Sequence, residues 1–212
     1  MGSQSSAPAL VLLVRHGTTA TTGSVLPGRA RGLHLSEEGS AQAEAVAARI
    51  AEVKPTAVYA SPMERTRETA APISRAAGVR TRTSKGLIEC DFGEWTGKKL
   101  SDLRRRKEWA SVQRSPSVFR FPGGESFAEM SQRMWQQLAE LASRHPGERI
   151  VAVSHADPIK AAVATASGVH LDNFQRTVIS PCSVSAILLG PGTPIVLCVN
   201  NTGQDLASLA VS

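Results

Sequence analysis

The sequence predicts an α/β fold, three layers in which a mainly parallel central sheet carries helices on both faces. Short apolar runs alternate with longer helical patterns along the 212 residues, and no internal repeat or linker interrupts them. Two of the apolar runs, in VLLVRHGTT and RIVAVSHADP, stop abruptly at a histidine, as buried strands do on reaching the rim of a sheet.

Residues 1–8 are small and polar and read as a disordered tail, which leaves 9–212 as a single domain. Ala9 to Val14 makes the first strand. Glu37 to Val53 follows as an amphipathic helix, with Ala41, Ala45, Ala48 and Ala51 at helical spacing. Thr56 to Ala60 is a short strand, after which Pro62 opens a helix through Ala77, with Ser61 as its N-cap. Val79 to Pro122 is irregular and contains the basic run KKLSDLRRRKEW. The stretch GGESF leads into a long helix that ends near Ser143. Ile150 to Val153 is a strand, and Pro158 to Ala166 is the helix after it. Val184 to Leu189 and Ile195 to Val199, joined by GPGT, form a hairpin.

Composition narrows the classes of function. The chain is 42% hydrophobic but only 4% aromatic, so its core is built from Ala, Val, Leu and Ile. No apolar run reaches the roughly 18 residues of a membrane span, and no apolar secretory segment stands near the start. The expectation is a cytoplasmic protein with no membrane partner. MGSQSS fits an N-myristoylation pattern, which a flexible tail explains equally well. Cys90, Cys182 and Cys198 are odd in number and lack ligand spacing, so neither a disulfide framework nor a metal site is expected. A net charge of +6 favours anionic ligands. The run Arg104 to Lys107 lacks interleaved aromatics apart from Trp109, so it reads as a solvated helix face and not as a nucleic-acid surface.

Ligands of open α/β sheets bind outside the carboxyl ends of the strands. His16 and His155 each lie at such an end, and Arg65 lies shortly after the strand TAVYA. Three separate segments can therefore bring Arg15, His16, Arg65 and His155 to one crevice. Two guanidiniums and two imidazoles repel one another unless an anion sits among them, and guanidinium forks suit phosphate oxygens. A lone histidine at a strand end is usually a structural, hydrogen-bonded residue, and periodicity alone leaves both readings open.

The segments LVRHGTT, YASPMERTRETA, GLIECDFGEWTG, PGGES and AVSHADPI occur in the order and spacing of the histidine phosphatase superfamily, the phosphoglycerate mutase-like enzymes. The chain resembles that family from about Leu10 to Cys198, on its phosphatase branch. The resemblance implies a phosphoglycerate mutase-like fold with a cap-like insertion at about 91–122. It also implies a metal-independent phosphatase that uses no cofactor and acts on a small-molecule phosphate ester. His16 would be the nucleophile that forms a phosphohistidine, its tautomer set by a backbone carbonyl near Gly17. Arg15, Arg65 and His155 would hold the phosphoryl oxygens, and a bound dianion would favour a cationic His155. Glu89 matches the general acid, with Asp91 and Glu94 close by as substitutes. Gly17, Thr22 and Ala156 would contact the substrate. Ala156 stands where the family often has glycine, and Thr22 where many members carry asparagine. A hydroxyl of Thr18, Thr19 or Thr22 would then donate in place of the amide, or cap a turn.

Several other residues have ordinary readings. Glu125 and Ser126 begin the long helix, Arg133 is a surface or salt-bridge residue, and Asp157 orients a helix N-terminus. His34, His145 and His170 read as surface or capping residues. Trp95, Trp109, Phe119 and Phe121 pack the cap, with one or two left to touch substrate. A phosphoglycerate-type mutase is the first alternative, although no arginine- and tyrosine-bearing segment lies between Glu89 and Gly123. A non-catalytic phospho-ligand module is the second; a pure binder has no need of an acid. A homodimer is compatible with the resemblance and with the edge strand of the hairpin.

Overall fold

The computed structural model describes residues 7–203 and 206. Strand β1 (Ala9–Arg15) is apolar on both faces and buried along its length except at Arg15. That is the pattern of an interior strand covered by helices on either side. β2 (Ala57–Ala60), β3 (Thr81–Thr83), β4 (Arg149–Ser154), β5 (Val184–Leu189) and β6 (Ile195–Asn201) complete one six-stranded sheet in the order β3-β2-β4-β1-β5-β6. The pairs β3–β2, β2–β4 and β4–β1 are parallel; β1–β5 and β5–β6 are antiparallel. Arg15 pairs with Ser154 in the β1–β4 register, so the next residues, His16 and His155, leave adjacent strands side by side.

Alternation along the strands divides the core between two helical layers. Leu10, Leu12 and Val14 meet α1 (Glu37–Ala51) and α2 (Glu64–Ala77) through Val46, Ile50, Ala70 and Ile73. Val11 and Leu13 face the opposite way, toward α5 (Phe127–Arg144) and α6 (Ala156–Ala166), where Met134, Leu138, Ile159 and Ala162 fill the space. The expected α/β class with three layers and a mainly parallel sheet is the observed one.

Several boundaries differ from expectation. α2 begins at Glu64 and not at Pro62; Met63 occupies the N-cap position with no side-chain cap, and Ser61 is directed elsewhere. α6 begins at Ala156, two residues before Pro158, with His155 at the N-cap position. Pro158 is tolerated there because first-turn N–H groups have no intrahelical acceptor. β3 lies within the stretch expected to be irregular. The expected tail reaches residue 8, yet Gly147 N donates to Ala7 O at 2.9 Å and β1 begins immediately after. Residues 1–6, including the acylation motif, lie outside the described residues.

Between β3 and α5 the chain runs as short turns, with α3 (Leu100–Leu103) and α4 (Trp109–Arg114). Phe92, Trp95, Phe119, Phe121, Phe127 and Phe174 pack as a separate aromatic cluster. Most of the chain's few aromatics are therefore spent here, while the sheet core is aliphatic apart from Tyr59 and Trp135. At the end of this region Ser126 caps α5 in a reciprocal pair with Glu129.

Candidate active site

The carboxyl ends of β1, β2 and β4 converge on one buried cluster. His16 leaves β1 and donates from Nδ1 to its neighbour's carbonyl, Gly17 O, at 2.8 Å. A carbonyl only accepts, so Nδ1 carries the proton and Nε2 keeps a free lone pair. Burial, then Arg65 and Arg15, depress the His16 pKa to about 3 against the raising effect of Gly17 O, so the ring is neutral. Gly17 itself is set by close packing. A Cβ at Gly17 would lie 2.5 Å from Gly39 O, and one at Gly39 would lie 2.0 Å from Thr18 O. The first loop and the start of α1 thus touch backbone to backbone.

His155 leaves β4 5.3 Å from His16, centroid to centroid. Arg65 Nη2 donates to His155 Nδ1 at 3.2 Å, and Nε2 donates to Ser61 Oγ at 2.8 Å. Arg65 has only donors, so this geometry makes His155 neutral. Burial, followed by Arg65 and His16, pulls its pKa well below 6.5. The cation expected at His155 is therefore not the form seen here, because its proton-accepting edge already faces a guanidinium. Ser61 is the residue that sequence reasoning assigned to the wrong task. Its one legible signal was its place just after β2, at a strand end like both histidines.

Arg65 is fully buried and also donates from Nη2 to Gly28 O at 2.8 Å, while Arg15 Nη1 donates to Ile179 O at 2.6 Å. Arg65 Nε and Nη1 and Arg15 Nε are buried with no partner among the described residues. Glu89 Oε2 stands 3.9 Å from His155 Nδ1. Burial, then Asp157, raise the Glu89 carboxyl to about 7, against the pull of Arg65, the Cys90 N–H and Arg15.

Glu89 is held from behind. Arg133 Nη2 (3.4 Å) and Arg29 Nε (2.9 Å) both donate to its carbonyl oxygen, and Arg133 Nη1 donates to Gly86 O and Ile88 O. Glu125 ties the two arginines together, accepting from Arg133 Nε and Nη2 at 3.0 Å and from Arg29 Nη2 at 2.8 Å. Glu125 lies outside α5, and of the two readings of Arg133 the salt bridge is the one observed. Of the expected substitutes, Asp91 faces Arg29 and caps Gly93 N instead.

A cavity of about 650 Å3 opens in front of His16, Arg15 and Glu89. Ala156 lines it at the first residue of α6. Thr22 lines it too, but Thr22 Oγ1 accepts from Thr19 N at 2.9 Å and so closes the first loop. Gly17, Arg65 and His155 lie behind its wall. Trp109 and Phe121 face the cavity, whereas Trp95 and Phe119 do not. Asp157, which sequence reasoning set aside, also lines it. The basic run divides: Arg104 lines the cavity, Arg105 pairs with Asp102, and Arg106 lies over the Trp95 ring. His34 pairs with Glu68, His145 bridges Tyr59 and Glu148, and His170 caps the turn Leu171–Arg176. Among the described residues no group of three His, Cys, Asp or Glu side chains is placed to hold a metal ion, and no helix is long and apolar enough to cross a membrane.

Comparison with known proteins bears on the family and the fold. Residues 11–202 match the family model of the histidine phosphatase superfamily (branch 1). The chain is 29% identical to phosphoserine phosphatase 1 of Hydrogenobacter thermophilus over 197 residues, covering 91% of this chain and 92% of that protein. It is 32% identical to a probable phosphoglycerate mutase, GpmB, of Erwinia tasmaniensis over 179 residues, 84% of this chain and 83% of the relative. Among solved structures, Bacillus stearothermophilus YhfR superposes with a TM-score of 0.85 at 25% identity, covering 92% of this chain and 98% of its own. The chain belongs to the histidine phosphatase superfamily, branch 1.

Proposed function

We propose that this protein is a metal-independent phosphomonoester phosphatase that works through a phosphohistidine on His16. One observation carries the reading: an unprotonated His16 Nε2 stands beside buried guanidinium N–H groups of Arg15 and Arg65 that have no partner among the described residues. A tetrahedral dianion satisfies those donors and presents phosphorus to Nε2 in a single placement. Nε2 attacks phosphorus, the ester P–O bond breaks, and Glu89 gives its proton to the departing alkoxide. Water then attacks the phosphohistidine, the P–N bond breaks, and Glu89 takes up a proton from that water. Arg15 and Arg65 hold the phosphoryl oxygens as charge builds on them, and His155 joins them by turning its Nε2–H from Ser61 Oγ to an oxygen. Gly17 fixes the loop that carries His16, while Thr22 and Ala156 shape the cavity mouth.

Similarity to a phosphoserine phosphatase supports hydrolysis of a small phosphorylated metabolite. Similarity to a probable phosphoglycerate mutase supports the same phosphohistidine step, with return of the phosphoryl group as the second reading. The described residues from 9 onward form one domain in this account, with residues of about 91–122 as the cap. The protein acts in the cytoplasm on a small molecule, without nucleic acid or membrane. A homodimer through the β6 edge fits the same account, and light scattering decides it.

Hydrolysis of p-nitrophenyl phosphate in excess EDTA tests the proposal. The expected result is turnover in the wild type and a loss on the order of a thousandfold in His16→Ala. Rapid quench with labelled substrate is expected to trap an acid-labile, base-stable adduct. Label recovered on a second substrate hydroxyl would mark a mutase, and equal turnover in both proteins would overturn the mechanism.

A further inference from the structure

The cavity walls are chemically unequal. Leu26, Trp109 and Val112 give it an apolar side made by the first loop and the cap. Asp157 and Lys160 from α6, with Gln175 from the turn Leu171–Arg176, add a polar part to its lining. Lys160 Nζ donates to Gln175 Oε1 at 2.9 Å and to Asp157 Oδ1 at 3.4 Å. Asp157 and Lys160 side chains are each only 17% exposed. This trio is separate from the arginines and histidines assigned to the phosphate, and Lys160 and Gln175 have no part in the phosphatase mechanism.

We infer that the Asp157–Lys160–Gln175 wall reads hydroxyl groups of the leaving group, so that the substrate is the phosphate ester of a sugar or similar polyol. The ion pair cancels its own net charge, and its unused atoms alternate in kind. Lys160 keeps a third N–H, Asp157 keeps Oδ2 and Gln175 keeps its amide N–H groups, none bonded within the described residues. A hydroxyl both donates and accepts, so a vicinal pair can take from Lys160 and give to Asp157 without breaking the pair. A carboxylate on the leaving group would compete with Asp157 for Lys160, and an ammonium would compete with Lys160 for Asp157, whereas hydroxyls leave the ion pair whole. The apolar part of the lining, Leu26, Trp109 and Val112, suits the C–H face of a ring. The volume falls within the roughly 300–1,000 Å3 of small-molecule sites, which exceeds the needs of a three-carbon skeleton. Asp157 is also close enough to Glu89 to raise its carboxyl, which sets this wall beside the oxygen that leaves.

The inference rests on the phosphatase reading, and one set of assays separates the two. Steady-state kinetics on the full chain would compare hexose and pentose phosphates with O-phosphoserine, 3-phosphoglycerate and p-nitrophenyl phosphate. A polyol phosphate is expected to exceed phosphoserine and 3-phosphoglycerate in kcat/KM by at least about tenfold. Lys160→Met and, independently, Gln175→Leu are expected to shrink that preference about tenfold through KM, with a smaller change in kcat. No turnover of any ester, p-nitrophenyl phosphate included, would overturn the phosphatase reading itself. Turnover of p-nitrophenyl phosphate with phosphoserine or phosphoglycerate preferred would overturn only the polyol inference. So would folded Gln175→Leu protein with an unaltered preference.

Discussion

Glu89 meets two opposed demands. A general acid must keep its proton at the working pH, and burial with Asp157 beside it supplies that by raising the carboxyl to about 7. For an alkyl phosphate, kcat/KM is therefore expected to fall about tenfold per pH unit above about pH 7. Glu89→Gln should lose most activity and also that descent, which paired pH–rate profiles would show. The same shift has a sign for stability. The folded pKa of about 7 exceeds the unfolded 4.5, so stability is fully present below pH 4.5 and drains away as pH rises through 7. The drain amounts to about 3 kcal/mol at most. Glu89→Gln should therefore melt above wild type at about pH 8.5 and gain nothing at about pH 4.5; an equal change at both would refute the buried carboxylate as its cause. At this scale the sequence displayed His16, His155 and Arg15 plainly, because each closes an apolar strand. Ser61 and Asp157 stayed hidden. Short polar residues at turns commonly cap helices, and only the approach of β4 gives Ser61 its imidazole.

Helix α5 shows how an element can serve chemistry that it does not touch. Its Arg133 reaches the carbonyls of Gly86, Ile88 and Glu89, and Glu125 braces the guanidinium from in front of the helix. Burial alone would raise the Glu125 carboxyl, but Arg133, the Asp91 N–H and Arg29 outweigh it and keep it charged. Arg133→Met should let the acid drift, cutting kcat on alkyl phosphates by about 10- to 100-fold with little change in KM. The loss should be smaller for p-nitrophenyl phosphate, whose leaving group scarcely needs protonation; equal losses on both would point to general damage. Gly17→Ala tests the contact between the first loop and α1. The added Cβ would press on Gly39 O, part of a backbone that cannot swing aside, for a cost of about 1–3 kcal/mol in a urea titration. Elements were legible where periodicity was long, as in α1 and α5, or strictly apolar, as in β1 and β4. Strand β3 is only Thr81–Thr83, half-exposed and polar, and its pairing with β2 comes from tertiary contact with no pattern of its own.

The whole molecule gathers cations where its sheet is most buried. Four strands' worth of aliphatic core fixes His16 and His155 side by side, and α2 drives Arg65 beneath them with two of its nitrogens unpaired among the described residues. Burial lowers both the Arg65 and the Arg15 pKa, so the fold itself works against these charges and is relieved by an anion. That relief is a binding energy, and linkage returns it as stability. At inorganic phosphate a hundredfold above its dissociation constant, the native state should gain about 2.7 kcal/mol. The midpoint of thermal unfolding should rise with the logarithm of phosphate concentration in the wild type. Arg65→Met removes the donors that an anion would satisfy, and its melting temperature should be nearly indifferent to phosphate. Chloride at matched ionic strength separates occupancy of the site from general screening of a chain with net charge +6. If wild type and Arg65→Met gained equally from phosphate, the anion would be bound to the basic surface, and the buried guanidinium would need another reason to be where it is.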